Sequence, residues 1–232
     1  MRQTPHENLL LVEGQDDKRV IPELMERNGI TWELGPKQYC VEIVAAGGLS
    51  QLLEPSFLGV SRKRAGLRRL GLLVDSDTNT EATWLRVSQA LSKAGIATNT
   101  QALDTPMSKG LVTTGVPRWG VWMMPDNLST GMLETFLGHL VKPEQNELWE
   151  HSKAACDSAR DKGAPFRYPT HLDKARIHTF LAWQREPGRQ LHQALKHNLL
   201  SADCSYAQPF VDWFCQLYEI PRKAHESVMN SG

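Results

Sequence analysis

The sequence has no excess of either charge. Its 26 Lys and Arg balance 26 Asp and Glu, so net charge supplies no general attraction toward nucleic acid or an anionic surface. That balance leaves room for a local basic patch, because an acidic site subtracts from the total. No apolar run approaches membrane-spanning length, and residues 1–8 lack the apolar core of a secretory signal. Cysteine is scarce: Cys40, Cys156, Cys204 and Cys215 stand apart with no Cys-x-x-Cys pair. This speaks against a zinc ribbon and for a reducing, cytoplasmic setting. His192 and His197 have finger-like spacing, but no cysteine pair precedes them. A Gly-Lys-Ser or Gly-Lys-Thr step is also missing, which argues against nucleotide hydrolysis through a P-loop.

What is present is an ordinary folded composition, 41% hydrophobic and 22% charged, over 232 residues. The length suits one large domain or a domain with a helical appendage. Residues 8–12 form a continuous apolar run that predicts a strand buried on both faces. Residues 16–28 predict a helix with Val20, Ile21, Leu24 and Met25 on one face and Gly29 at its stop. A second strand is expected over 39–45, ending near Gly47 and Gly48, then a helix over 49–60 broken at Pro55. Residues 70–74 predict a third strand, 81–94 a helix and 118–124 a fourth strand stopped by Pro125. Alternating strands and helices imply an α/β fold, a Rossmann-like, mostly parallel sheet flanked by helices. After Met124 the pattern predicts only helices, over 146–162, 172–185, 189–200 and 209–217. The expected division is an α/β domain over 1–140 and a helical C-terminal region over 141–232 packed on it.

In such sheets ligands bind beyond the carboxyl ends of the strands. Glu13, Asp75 and Asp126 each lie just past a predicted strand. Gly14 lets the chain turn after Glu13, Asp16 is placed to cap the next helix, and Asp17 is close enough to return its carboxylate to the same site. The alternative is a strand-turn-helix with solvated acids. Asp75 and Asp77 are two apart, and residues so spaced on a strand point the same way, so both are expected to face one cation. Neighbouring carboxylates repel unless a cation or protons intervene. An all-oxygen set suits Mg²⁺ or Mn²⁺. The alternative is a polar loop that caps the following helix. The densest basic run, Arg62, Lys63, Arg64, Arg68 and Arg69, is a candidate for contacts to nucleic-acid phosphates. Strand geometry puts it at the rim opposite the acids, and a solvated face is the competing reading.

Taken together, a strand ending in Glu13-Gly14 followed by a strand ending in Asp75-Ser76-Asp77 resembles the Toprim domain of topoisomerases, primases and several nucleases. The resemblance covers residues 8–137. It implies that Glu13, Asp75 and Asp77 bind divalent metal or act in acid–base chemistry on a phosphodiester. Asp17 resembles the additional acid in the first motif of OLD-family nucleases. Glu134 sits where those proteins place another metal-site carboxylate, with Asp126 a rival for that role and the exposed face of a helix the plain alternative for Glu134. The same resemblance suggests Lys174 as the cation near the leaving group. His178, one turn later on the same helix face, either assists at the substrate or packs beside Trp183. The chain is also similar to a group of small bacterial Toprim proteins in which a stretch like 174–188 recurs. The implied activity is metal-dependent cleavage of DNA or RNA. An ABC-type ATPase encoded nearby is an implied partner in bacterial defence, a homo-oligomer is an implied assembly, and no membrane is involved. The rival is a non-catalytic Toprim module that binds nucleic acid or an ATPase. A haloacid-dehalogenase phosphatase fits less well, because Asn79 stands where that family wants threonine or valine.

Overall fold

The computed structural model describes residues 6–97 and 108–223. Its framework is a five-stranded sheet of order β4-β1-β5-β7-β6, from β1 (Asn8–Val12), β4 (Glu42–Ala45), β5 (Arg69–Asp75), β6 (Leu111–Val112) and β7 (Arg118–Met124). The four strands from β4 to β7 are mutually parallel, and the short β6 is antiparallel to β7. Helices α1 (Gln15–Arg27), α2 (Leu49–Leu52), α3 (Pro55–Arg62) and α4 (Thr80–Lys93) connect the strands. Helix α5 (Leu133–Gly138), a single 3₁₀ turn (Pro143–Gln145), then α6 (Asn146–Asp161), α7 (Leu172–Ala182), α8 (Leu191–Lys196) and α9 (Gln208–Tyr218) complete the chain. This is a Rossmann-like α/β architecture with a C-terminal helical region. Among the described residues no helix is long and apolar enough to cross a membrane.

The strands read as unbroken apolar runs because both sheet faces are covered. Alternate residues divide cleanly. Leu10, Val12, Leu73, Trp122 and Met124 enter one core with α1, α5, α7, α8 and α9, while Leu9, Leu11, Leu72, Val74, Val121 and Met123 enter the other with α3 and α4. One expectation needs correction. The strand expected over 39–45 is divided: Gln38–Tyr39 (β3) turns back on Glu33–Gly35 (β2) as a small hairpin, and only Glu42–Ala45 joins the main sheet. The helix expected over 49–60 is interrupted at Pro55 as expected, giving α2 and α3, with Pro55 opening the second, where a missing N–H costs least.

The C-terminal helices share the core of the first half. Gly71 and Gly120 are register partners on β5 and β7, and together they leave a bare patch on the sheet. Leu217 and Tyr218 of α9 lie on that patch. A Cβ on Gly71 would overlap the Tyr218 hydroxyl and reach 2.9 Å from Leu10 Cδ1, and one on Gly120 would sit 3.2 Å from Leu217. The buried Tyr218 hydroxyl donates to the Leu9 carbonyl at 2.9 Å. This contact predicts that Gly71→Ala destabilises the fold by about 1–3 kcal/mol through overpacking. Tyr218→Phe should cost about 1 kcal/mol for the lost hydrogen bond. Urea unfolding of the two single variants and the double variant checks this, with the double variant losing less than the sum because the overlapping oxygen is gone.

Candidate acidic site at the strand ends

The parallel register brings the ends of β1 and β5 level. Beyond them, Gly47 and Gly48 both donate backbone N–H to the Glu13 carbonyl at 2.9 Å. Their φ angles of 92° and 127° are ones that side chains other than glycine's rarely permit. The result is a cavity of about 370 Å³ whose lining includes Glu13, Asp17, Asp75, Glu134, His171 and Lys174. Acids from three separate stretches of chain, Glu13 with Asp16 and Asp17, then Asp75, then Glu134, therefore share one rim.

Each acid is oriented by a specific donor. Glu13 Oε1 accepts from the Asp75 amide at 2.8 Å, and Asp75 Oδ1 accepts from the Leu133 amide at 3.0 Å. Asp17 Oδ2 accepts from the Gly14 amide at 2.8 Å, so Asp17, and not Asp16, satisfies the start of α1. Glu134 Oε1 lies 3.0 Å from Lys174 Nζ, which is also 3.9 Å from Asp16 Oδ2. Asp17 and Glu134 are only 7% and 5% exposed, so the exposed-helix-face alternative for Glu134 does not hold.

Burial and crowding raise Glu13, Asp17 and Asp75 above the usual carboxylate range. Burial pushes Glu13 up to about 7 against the Asp75 N–H bond, with the charges of Asp17 and Asp77 adding to it. Burial raises Asp17 to about 6 against the Gly14 N–H bond, with Glu134 adding to it. Asp75 is held well above the usual carboxylate range by burial and then by Asp17, Glu13 and Glu134. Burial works against the Lys174 charge, but Glu134, Asp16 and Asp75 outweigh it and hold the ammonium above its ordinary value. Among the described residues, no group of three or more Asp, Glu, His or Cys side chains is placed to hold a metal ion. The acids instead turn one oxygen each to a backbone amide or to Lys174. The donor set itself, oxygen-only and mutually repelling, fits a hard divalent cation.

The other candidate residues are placed differently. β5 ends at Asp75, and Asp77 follows in a left-handed turn with φ 51°, its backbone paired with Gly131. Strand alternation therefore does not govern Asp77. It remains within electrostatic reach of Glu13, and burial raises it while Arg86 of α4 opposes the rise. Asp126 lies in the turn after β7. Its carboxylate accepts from the Leu128 and Ser129 amides at 3.0 and 2.6 Å, from Ser129 Oγ at 2.9 Å and from the Tyr206 hydroxyl at 3.3 Å. Burial notwithstanding, these bonds, led by the Ser129 amide, hold it below its ordinary value. It is a turn-holding residue outside the acid cavity.

The basic run lies at the amino ends of the strands, since Arg69 is level with Asn8 and Arg118. Arg64 pairs with Glu42 at 3.0 Å, Arg68 with Glu7 at 3.8 Å, and Arg69 with Glu219. Arg62 closes α3 and Lys63 caps it. His178 is exposed on α7 and does not pack beside Trp183, which tilts against His151 at 5.3 Å between ring centroids. His171 and Arg86 were not singled out for the acidic site by sequence reasoning. His171 lies three residues before Lys174, and that spacing, one helical turn, was the available signal.

Fold and site together define a Rossmann-like α/β protein with a buried carboxylate cluster at its strand ends. A family model described as "Protein of unknown function (DUF3226)" matches residues 7–219, and the chain belongs to that family. No curated protein and no solved structure matches it.

The raised acids have a stability consequence. Glu13 moves from an ordinary 4.5 to about 7, so between those values the folded chain holds a proton that the unfolded chain releases. Its contribution is present below 4.5 and is lost as pH rises through about 7. In chelator, the unfolding midpoint of the wild type should fall on going from about pH 5 to pH 7.5. Glu13→Gln, which still accepts from the Asp75 amide, should fall less over the same range.

Proposed function

We propose that the chain is a divalent-metal-dependent phosphodiesterase acting on DNA or RNA, with Mg²⁺ or Mn²⁺ held by Glu13, Asp17, Asp75 and Glu134 and with Asp77 at its edge. The observation that carries this reading is the buried convergence of four carboxylates with one lysine at the carboxyl ends of parallel strands. Carboxylates so placed are costly without a compensating charge. A divalent cation, if held by these carboxylates, would supply positive charge against a phosphate and lower the pKa of a bound water.

The chain's own groups have distinct tasks. The Asp75 and Leu133 amides hold Glu13 and Asp75 in fixed orientations, so little reorganisation is needed when charge develops. Lys174, bound on one side by Glu134 but with its side chain 46% exposed, can turn its ammonium toward a phosphate oxygen or leaving group. His171, on the same wall, can hydrogen-bond a substrate oxygen or carry a proton. The reading includes gating by an ABC-type ATPase partner in a bacterial defence system, supported by the resemblance to OLD-family nucleases. It also includes a cytoplasmic setting and a homo-oligomer.

The test is cleavage of plasmid, linear DNA and structured RNA with Mg²⁺ or Mn²⁺. Wild type should cut, chelator should abolish cutting, and Asp75→Asn should lower kcat about a hundredfold or more. Lys174→Ala should lower kcat more than it changes KM. Folded, metal-binding wild type that binds nucleic acid without cutting would favour the non-catalytic or ATPase-partner module.

A further inference from the structure

A second cavity of about 400 Å³ adjoins the acidic site, and Glu134 lines both. We propose that this cavity is a subsite for one nucleobase of the bound strand, a base carrying an exocyclic amino group; the proposal rests on the nucleic-acid reading above.

The two cavities are separated by a wall made from α5 and α7. Successive residues on each helix face opposite sides of it. Glu134 and Lys174 meet at 3.0 Å on the acid side. Thr135 Oγ1 donates to Asp173 Oδ2 at 2.7 Å on the other side. A strand whose phosphate rests at the acids therefore has its neighbouring nucleoside one side chain away from the second cavity. The volume lies within the range of small-ligand sites, about 300–1,000 Å³.

The lining selects the chemistry. Trp149, partly buried, lines the cavity at right angles to Phe180 with ring centroids 5.8 Å apart, and Lys153 Nζ lies over its ring at 5.7 Å, so a stacking base displaces that ammonium. Gly138 makes room for the indole, since a Cβ there would stand 2.9 Å from Trp149 Cζ2. Aromatic faces of this kind are how unpaired bases are held. The polar part of the lining is rich in acceptors. The carboxylates of Glu150 and Asp173, beside His139 and Asn146, face the single ammonium of Lys153, which Glu150 engages at 2.6 Å, while Glu134 is turned to Lys174 on the acid side. Such a wall repels a phosphate or free carboxylate and accepts from amino groups, as carboxylates do from cytosine. Asp173 is held in place by Thr135 and by Arg176 at 3.2 Å, so its acceptor direction is set before a ligand arrives.

The experiment is fluorescence anisotropy with labelled oligonucleotides of cytosine, of thymine, or of abasic sugar-phosphate, with Ca²⁺ in place of Mg²⁺. Cytosine oligonucleotides should bind wild type about tenfold or more tighter than abasic ones, and tighter than thymine ones. Trp149→Ala should erase that gap without changing abasic binding, while Trp149→Phe should keep most of it. Equal binding of cytosine and abasic strands, or an undiminished gap in a folded Trp149→Ala, would overturn the subsite and leave the nuclease reading standing. No binding of any oligonucleotide by folded wild type would overturn the nucleic-acid reading and this subsite with it.

Discussion

The hydrogen bond from the Asp75 amide to Glu13 Oε1, 2.8 Å long, ties the carboxyl ends of two neighbouring parallel strands through a side chain. It exists only because β1 and β5 run parallel and in register, with Leu11 beside Leu72. Once Glu13 and Asp75 are level, every other feature of the rim answers to their charge. The Leu133 amide meets Asp75, the Gly14 amide meets Asp17, and Lys174 meets Glu134. Backbone dipoles and one ammonium offset part of the repulsion, and raised pKa values show what they leave over. A site in that condition favours the protonated carboxyl over the carboxylate.

The helical region does two jobs in this arrangement. Helix α9 lies on the bare patch left by Gly71 and Gly120 and closes one face of the sheet. Helix α7 returns to the rim and brings His171, Asp173 and Lys174 against α5. Residues 141–223 are thus both half of a core and one wall of the site, in keeping with a family match that extends to residue 219. Neighbouring side chains on α5 and α7 serve two adjoining cavities, one lined by Glu13, Asp17 and Asp75, the other by Trp149. The cluster of arginines at the opposite rim is engaged with surface glutamates. Exposed pairs of that kind contribute about 0–1 kcal/mol each.

Much of the frame was legible from pattern alone. The apolar runs 8–12, 70–74 and 118–124 admit little besides doubly covered strands, and such strands pair in parallel when helices connect them. The same runs end at Glu13 and Asp75, so their meeting at one rim followed from fold class. Two-residue β6 and the β2-β3 hairpin were invisible, because segments so short carry no periodicity. Asp77 misled for a local reason: alternation holds only while the chain stays extended, and its left-handed φ ends that.

The sequence by itself determined the buried strands over 8–12, 70–74 and 118–124 and the acids that follow the first two, because hydrophobic period is a local property. Tertiary structure alone decided between Glu134 and Asp126, two acids only eight positions apart. Helix α5 buries the first against Lys174, whereas the turn after β7 engages the second in three hydrogen bonds and Tyr206 adds a fourth. It also decided that Lys174 and His171 join the rim, and that Gly71 and Gly120 are seats for α9. Those outcomes depend on which surfaces meet after long stretches of chain, and no window of sequence contains both partners.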